Sequence, residues 1–133
     1  MIVLDTHVLV WWVNDDADLS PAAKAAIQAE LDDEDGLILI SSITAWEIAL
    51  LVQKGRLALS TQIDDWLATV SDIEGVRFVP VDNDIAVQST QLPGDFHPDP
   101  ADRMIVALAR HVSAPLVTAD TRIRSYPHVK SLW

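Results

Sequence analysis

Short apolar runs alternate along this chain with stretches of helical periodicity, and that alternation restricts the fold more than any other feature. Ile2 to Leu4 and Leu37 to Ile40 carry no polar residue to face water, so each reads as a strand buried on both faces. Arg77 to Val81 and Pro115 to Thr118 read as two more strands, and Val129 to Trp133 as a candidate last one. Strands separated by helices require crossovers, which are right-handed and lay helices on both sides of a parallel sheet. The expectation is an α/β fold. It is a three-layer α/β/α domain with a central, mostly parallel four- or five-stranded sheet, and residues 1–133 form one unit of ordinary domain size.

Capping chemistry marks the helices. Ser20-Pro21 sets a capping hydroxyl before a proline at the first helical position, and alanines carry that helix toward Leu31. Val8 to Val13 reads as a short helix, apolar nearly all round. Ser41-Ser42 or Thr44 caps a helix that runs to about Lys54 and is stopped by Gly55. Thr61 to Ile73 is amphipathic, with Ile63, Trp66, Leu67 and Val70 at helical spacing. Asp82 caps a helix through about Leu92, and a loop follows from Pro93 to Pro98. Asp99-Pro100 opens the next helix, whose buried face is Met104, Ile105, Leu108 and Ala109 and whose end is near His111. Asp120 begins a short helical turn to about Ser125.

Composition narrows the function classes. Cysteine is absent, which removes disulfides and thiolate metal sites. The N-terminus has no basic leader, and the longest uncharged run, Gly36 to Trp46, falls well short of the roughly 20 residues that span a bilayer. A cytoplasmic protein without membrane contact is expected. A formal charge of −11 runs against the basic footprint of most nucleic-acid binders, so such a partner would need bound cations or a local basic rim. Sixteen of the twenty acids are aspartate, which favours caps, turns and metal sites. The run Asp32-Asp33-Glu34-Asp35 is assigned to solvated surface.

Four carboxylates stand out by position. Asp5 closes the first strand and Asp120 the fourth, and ligands of open α/β sheets gather at the carboxyl ends of strands. A single switch point would bring those two ends together. Each acid also reads as a helix cap, and the residues alone leave cap and ligand open. Glu47 is the only charge between Ile43 and Val52; a buried carboxylate is costly unless it faces a pairing partner, a metal or a wet cleft. Asp99 and Asp102 both suit a helix start, where an acid complements the dipole. Asp102 is the better ligand candidate because Asp99 is already the natural cap. Thr118 offers a hydroxyl to water or a carboxylate. Carboxylates crowded together repel unless a cation neutralises them, and oxygen ligands select Mg²⁺ or Mn²⁺.

In order, Leu4-Asp5-Thr6-His7, Ser42 to Glu47 with its Trp46-Glu47 pair, Asp99-Pro100-Ala101-Asp102-Arg103 and Thr118-Ala119-Asp120 resemble the motifs of PIN-domain ribonucleases. More narrowly, the chain resembles VapC-type toxins of toxin–antitoxin modules, over essentially its whole length. The resemblance implies four or five parallel strands and a pocket in which Asp5, Glu47, Asp102 and Asp120 are the metal ligands and catalytic acids. It also implies endonucleolytic cleavage of RNA with Mg²⁺ or Mn²⁺, a cognate antitoxin that blocks the pocket, and a homodimer. Asp99 matches a further acid of the motif and ranks below the four, as do Thr118 and Arg103. Ala101 stands where many relatives carry a bulkier apolar residue and Pro98 where a basic one is common, so these departures bear on substrate contacts rather than on the metal set.

Two other readings compete. A phosphoacceptor receiver domain also places acids at strand ends around Mg²⁺, but it needs a lysine after its last inner strand, and Lys130 comes late. A non-catalytic interaction module would use the tryptophans. Trp11, Trp12, Trp46 and Trp66 sit in apolar helices rather than among basic residues, so they are expected in the core or at a dimer contact. A basic rim for RNA is drawn from His7, Lys54, Arg56, His97, Arg103, Arg122 and Arg124, and His7 receives no catalytic role.

Overall fold

In the computed structural model, which describes residues 1–133, every apolar run named above becomes a strand of one sheet. The elements in chain order are β1 (Ile2–Leu4), α1 (Thr6–Val13), α2 (Pro21–Asp32), β2 (Ile38–Ser41), α3 (Ser42–Gln53) and α4 (Ile63–Ser71). They continue as β3 (Val76–Val79), α5 (Asn83–Thr90), α6 (Pro100–His111), β4 (Leu116–Val117), α7 (Thr121–Arg124) and β5 (Ser131–Leu132). All neighbouring strands pair in parallel, in the order β3-β2-β1-β4-β5.

That order positions the site. From β1 the chain moves outward through β2 and β3, then crosses back to β4 and β5 on the other side. The reversal between β1 and β4 is a switch point, where connections leave toward opposite faces and open a crevice. Val3 pairs with Leu116 and Leu4 with Val117, so Asp5 and Thr118 leave the sheet side by side. The Asp5 amide donates to Val117 O at 3.0 Å across that seam.

Alternation along the central strand divides the interior. Ile2 and Leu4 enter one core with Val8, Leu9, Ile27, Ile48, Trp66 and Val70, under α1 to α4. Val3 enters the other with Ile85, Ile105, Leu108, Ile123 and Tyr126, under α5 to α7. Each fully buried aliphatic side chain contributes about 1.5–3 kcal/mol, so both helical layers are held by the sheet they cover. The three-layer expectation therefore holds.

Two local expectations change. Helix α1 begins at Thr6, not Val8, because Asp5 caps it. Helix α6 is buried almost all round: Val106 and Ala107 are buried along with Ile105, Leu108 and Ala109, whereas Met104 is only half-buried. The cause is that α6 packs against α5, α3, β1 and β2 together. Of the tryptophans expected in the core or at a dimer contact, Trp66 lies in the core and Trp46, 57 % exposed, does not.

Candidate active site

Asp5 ends β1 in extended backbone, with φ −70° and ψ 159°, and caps α1 by accepting from the Thr6 amide on Oδ1 at 2.8 Å. Thr118 Oγ1 donates to its other oxygen, Oδ2, at 2.7 Å, and accepts in turn from the Asp120 amide at 3.0 Å. Asp5 is 3 % exposed, so these donors compensate the loss of water. A carboxylate oxygen has two lone-pair directions, and capping and ligation are not alternatives here.

Asp120 and Asp99 repeat the pattern. Asp120 caps α7, its Oδ1 accepting from the amides of Arg122 at 2.8 Å and Ile123 at 3.3 Å. Desolvation works to raise the Asp120 pKa, but hydrogen bonds from Arg122 and from the Ile123 amide outweigh it and hold the carboxyl below its usual range. Asp99 caps α6 by accepting from the Asp102 amide at 3.0 Å.

Glu47 projects from α3, whose cap is Ser41 rather than Ser42 or Thr44. The Thr6 hydroxyl donates to Glu47 Oε1 at 2.6 Å, and Thr44 Oγ1 lies 2.9 Å from Thr6 Oγ1. A hydroxyl has one proton, so the proton on Thr6 faces Glu47 and Thr44 must be the donor to Thr6. Burial raises the Glu47 pKa against the Thr6 hydrogen bond, and the charges on Asp5 and Asp99 raise it further. Sequence reading gives Thr44 only a capping role and places neither threonine in the site. The available signal was spacing: Thr44 lies three residues before Glu47, on the same helix face.

Asp102 lies in the first turn of α6 and feels the charges of all the other acids of the site. Desolvation, followed by the charges on Asp5, Asp99, Asp120 and Glu47, pushes its carboxyl up to about 7. Its Oδ2 lies 3.2 Å from His97 Nε2 and 3.4 Å from Arg122 Nη2. The Asp99 amide donates to His97 Nδ1 at 3.4 Å, which leaves the imidazole proton on Nε2. That buried nitrogen is misaligned for a hydrogen bond to Asp102 and has no other partner.

Of the expected basic rim, His7, His97 and Arg122 reach the acids. His7 Nε2 accepts from the Ala119 amide at 3.0 Å, so its proton is on Nδ1, 3.6 Å from Asp5 Oδ2. The ring also packs edge-on against Trp11. His7 thus ties the loop after β4 to α1. Arg103 is committed elsewhere: Nε donates to Ser89 O at 2.8 Å, and Nη1 to Phe96 O at 2.9 Å and His97 O at 3.3 Å. Its guanidinium also lies 5.9 Å above the Phe96 ring. It fastens the loop carrying His97 to α6, and this removes it from the rim. Arg103→Met is expected to cost about 2 kcal/mol by stranding those carbonyls. Urea unfolding beside Arg124→Met checks it, since Arg124 makes no such bonds; equal losses would remove the fastening role.

As the side chains stand, no three of the acids are disposed to grip one ion together. The donor set nevertheless fits a hard cation in kind, being all oxygen and carrying excess negative charge, with one carboxyl held near 7. A guanidinium already stands between two of them as a positive charge. Beside Glu47 and Asp99 lies an open groove of about 430 Å³ floored by Ile43, Trp46, Leu50 and Pro100.

A PIN domain profile matches residues 2–129. The chain belongs to the PIN-domain family. This PIN domain is 37% identical to Ribonuclease VapC22 of Mycobacterium tuberculosis over 127 residues, covering 96% of this chain and 92% of that one. Its fold is that of VapBC2 from Rickettsia felis bound to promoter DNA, with a TM-score of 0.71 at 19% identity, over 99% of this chain and 98% of that chain. It is also that of VapC20 of Mycobacterium tuberculosis, a toxin that cleaves the sarcin–ricin loop, with a TM-score of 0.65 at 17% identity, over 98% and 99% of the two chains. The strand order of this PIN domain also sets aside the receiver reading, whose flavodoxin-like sheet runs 2-1-3-4-5.

Proposed function

We propose that this PIN domain is a Mg²⁺- or Mn²⁺-dependent endoribonuclease, the toxin of a toxin–antitoxin pair, with Asp5, Glu47, Asp102 and Asp120 as its metal ligands and catalytic acids. The observation that carries the site is Asp102. Burial first, and then the charges on Asp5, Asp99, Asp120 and Glu47, hold its carboxyl near 7 at the switch point. Similarity to a ribonuclease across nearly the whole of both chains supports RNA as the substrate. Structural neighbours solved as toxin–antitoxin complexes support an antitoxin partner.

When bound, the divalent ion would supply Lewis acidity toward the phosphodiester and the attacking water. The chain's own residues do the positioning. Thr6 and Thr118 fix the rotamers of Glu47 and Asp5 before any ligand arrives. Asp99 frees Asp102 for the pocket by taking the capping role. The apolar floor around Trp46 offers a surface for a neighbouring nucleotide of the strand. No helix is long and apolar enough to cross a membrane. A cytoplasmic, homodimeric protein acting as one domain over residues 1–133 completes the proposal.

Purified protein incubated with mixed RNAs is expected to cut them in Mg²⁺ or Mn²⁺ and to stop when a chelator is added. Cleavage that persists in chelator, or that Asp5→Asn retains in full, would sink the proposed centre.

A further inference from the structure

Among the basic residues near the pocket, Arg122 alone bridges two acids of the centre. Its Nη2 lies 3.1 Å from Asp120 Oδ2 and 3.4 Å from Asp102 Oδ2, and its Nε lies 3.4 Å from Asp120 Oδ1. Its guanidinium makes no other hydrogen bond, and the side chain is 59 % exposed, so little packing would be lost if it swung away. It sits two residues beyond Asp120, in the first turn of α7, and folds back over the acid that caps its own helix. The other basic residues offer no substitute, since Arg103 is bound to carbonyls and His97 has one accepting ring nitrogen and a misaligned second.

We infer that Arg122 is a built-in counter-cation of the acid pocket, a positioning residue that holds Asp102 and Asp120 together and must be displaced from them by the divalent ion. The inference rests on the metal reading above. An exposed ion pair is normally worth little, because water screens it and two side chains must be ordered to make it. Here the second cost is reduced, because Asp120 is already fixed by the α7 amides and Asp102 by its place in α6. Water still screens the exposed guanidinium, but several acids, Asp99 among them, attract it together.

Guanidinium and metal need the same oxygens. The apparent metal affinity is therefore lowered by the fraction of molecules in which the bridge is closed. In exchange, Asp120 and Asp102 stay converged when no ion is bound, and a positive charge moderates their repulsion.

Calorimetric titration of Mn²⁺ into metal-free protein at low salt tests this on wild type, Arg122→Gln, Arg124→Gln and Asp102→Asn. Arg122→Gln is expected to bind Mn²⁺ about three- to ten-fold more tightly than wild type, the gain set by the closed fraction. Arg124→Gln loses the same charge from the same helix without breaking a bridge, and should stay within about two-fold of wild type. Without metal, Arg122→Gln should melt about 2–4 °C lower than wild type, because the acids lose their counter-charge. Unchanged or weaker binding by Arg122→Gln overturns the inference. So does equal tightening in both glutamine variants, which would reduce the effect to net charge, and so does an unchanged metal-free melt. If Asp102→Asn binds Mn²⁺ as tightly as wild type, the metal reading itself fails and takes the inference with it.

Discussion

Asp102→Asn is expected to lower RNA cleavage about 1,000-fold, since a ligand charge lost at a metal centre removes roughly 4 kcal/mol of transition-state stabilisation at 1.36 kcal/mol per tenfold. The fold should survive. Asparagine is isosteric, and α6 keeps its start because the cap belongs to Asp99 and the first-position proline is untouched. Arg103 still fastens the neighbouring loop. Initial rates in Mn²⁺ with saturating RNA measure the loss, and a variant within tenfold of wild type would remove Asp102 from the reaction.

The same substitution separates catalysis from repulsion by its pH dependence. The Asp102 carboxyl stands at about 7 when folded against 3.8 for the free side chain. Between those values the folded chain binds more protons than the unfolded one, so metal-free stability falls as pH rises through that window. Glu47, also raised, acts in the same direction, whereas Asp120, lowered, favours the fold as its carboxylate forms. Metal-free Asp102→Asn should therefore melt higher than wild type, by a margin that widens as pH rises from about 4.5 to about 7 and then levels off. Mn²⁺ should then raise the wild-type melting temperature more than that of the variant. A difference independent of pH would mean that Asp102 does not feel its neighbours.

Much of the frame was legible because it follows from backbone rules. Apolar runs such as Ile2–Leu4 have no polar face, so they must lie inside a sheet covered on both sides, and β1 does. The adjacency of β1 and β4 followed from a single switch point, and it accounts for the meeting of Asp5 with the Asp120 loop. Caps were equally legible at Ser20, Asp82 and Asp99, because each chemistry is local.

What escaped depends on contacts between distant elements. The all-round burial of α6 is set by the four elements around it, which its own periodicity does not encode. Trp46 is apolar but faces the open groove beside Glu47, and nothing in an apolar helix distinguishes that face from the buried one. The hydrogen bonds from Thr6 to Glu47 and from Thr118 to Asp5 join residues 41 and 113 positions apart. Arg103 and Arg122 both read as cations of one basic rim. One fastens a loop and the other bridges two acids, a difference that only the fold makes.

Thr118→Val is expected to destabilise the metal-free protein by about 2–3 kcal/mol, the range for losing a hydrogen bond to a charged group. Thr118 is fully buried, and valine matches its shape, so no cavity accompanies the change and the cost falls on polar groups. Asp5 Oδ2 loses its donor; His7 Nδ1, at 3.6 Å, is too far away to replace it. The Asp120 amide loses its acceptor at the same time. Thr118→Ser keeps both bonds and should recover most of the loss in urea unfolding. A bound cation would give Asp5 a new partner, so saturating Mn²⁺ should shrink the difference between valine variant and wild type. If the penalty is the same with and without Mn²⁺, Asp5 is held for the sake of the α1 cap alone and is no ligand.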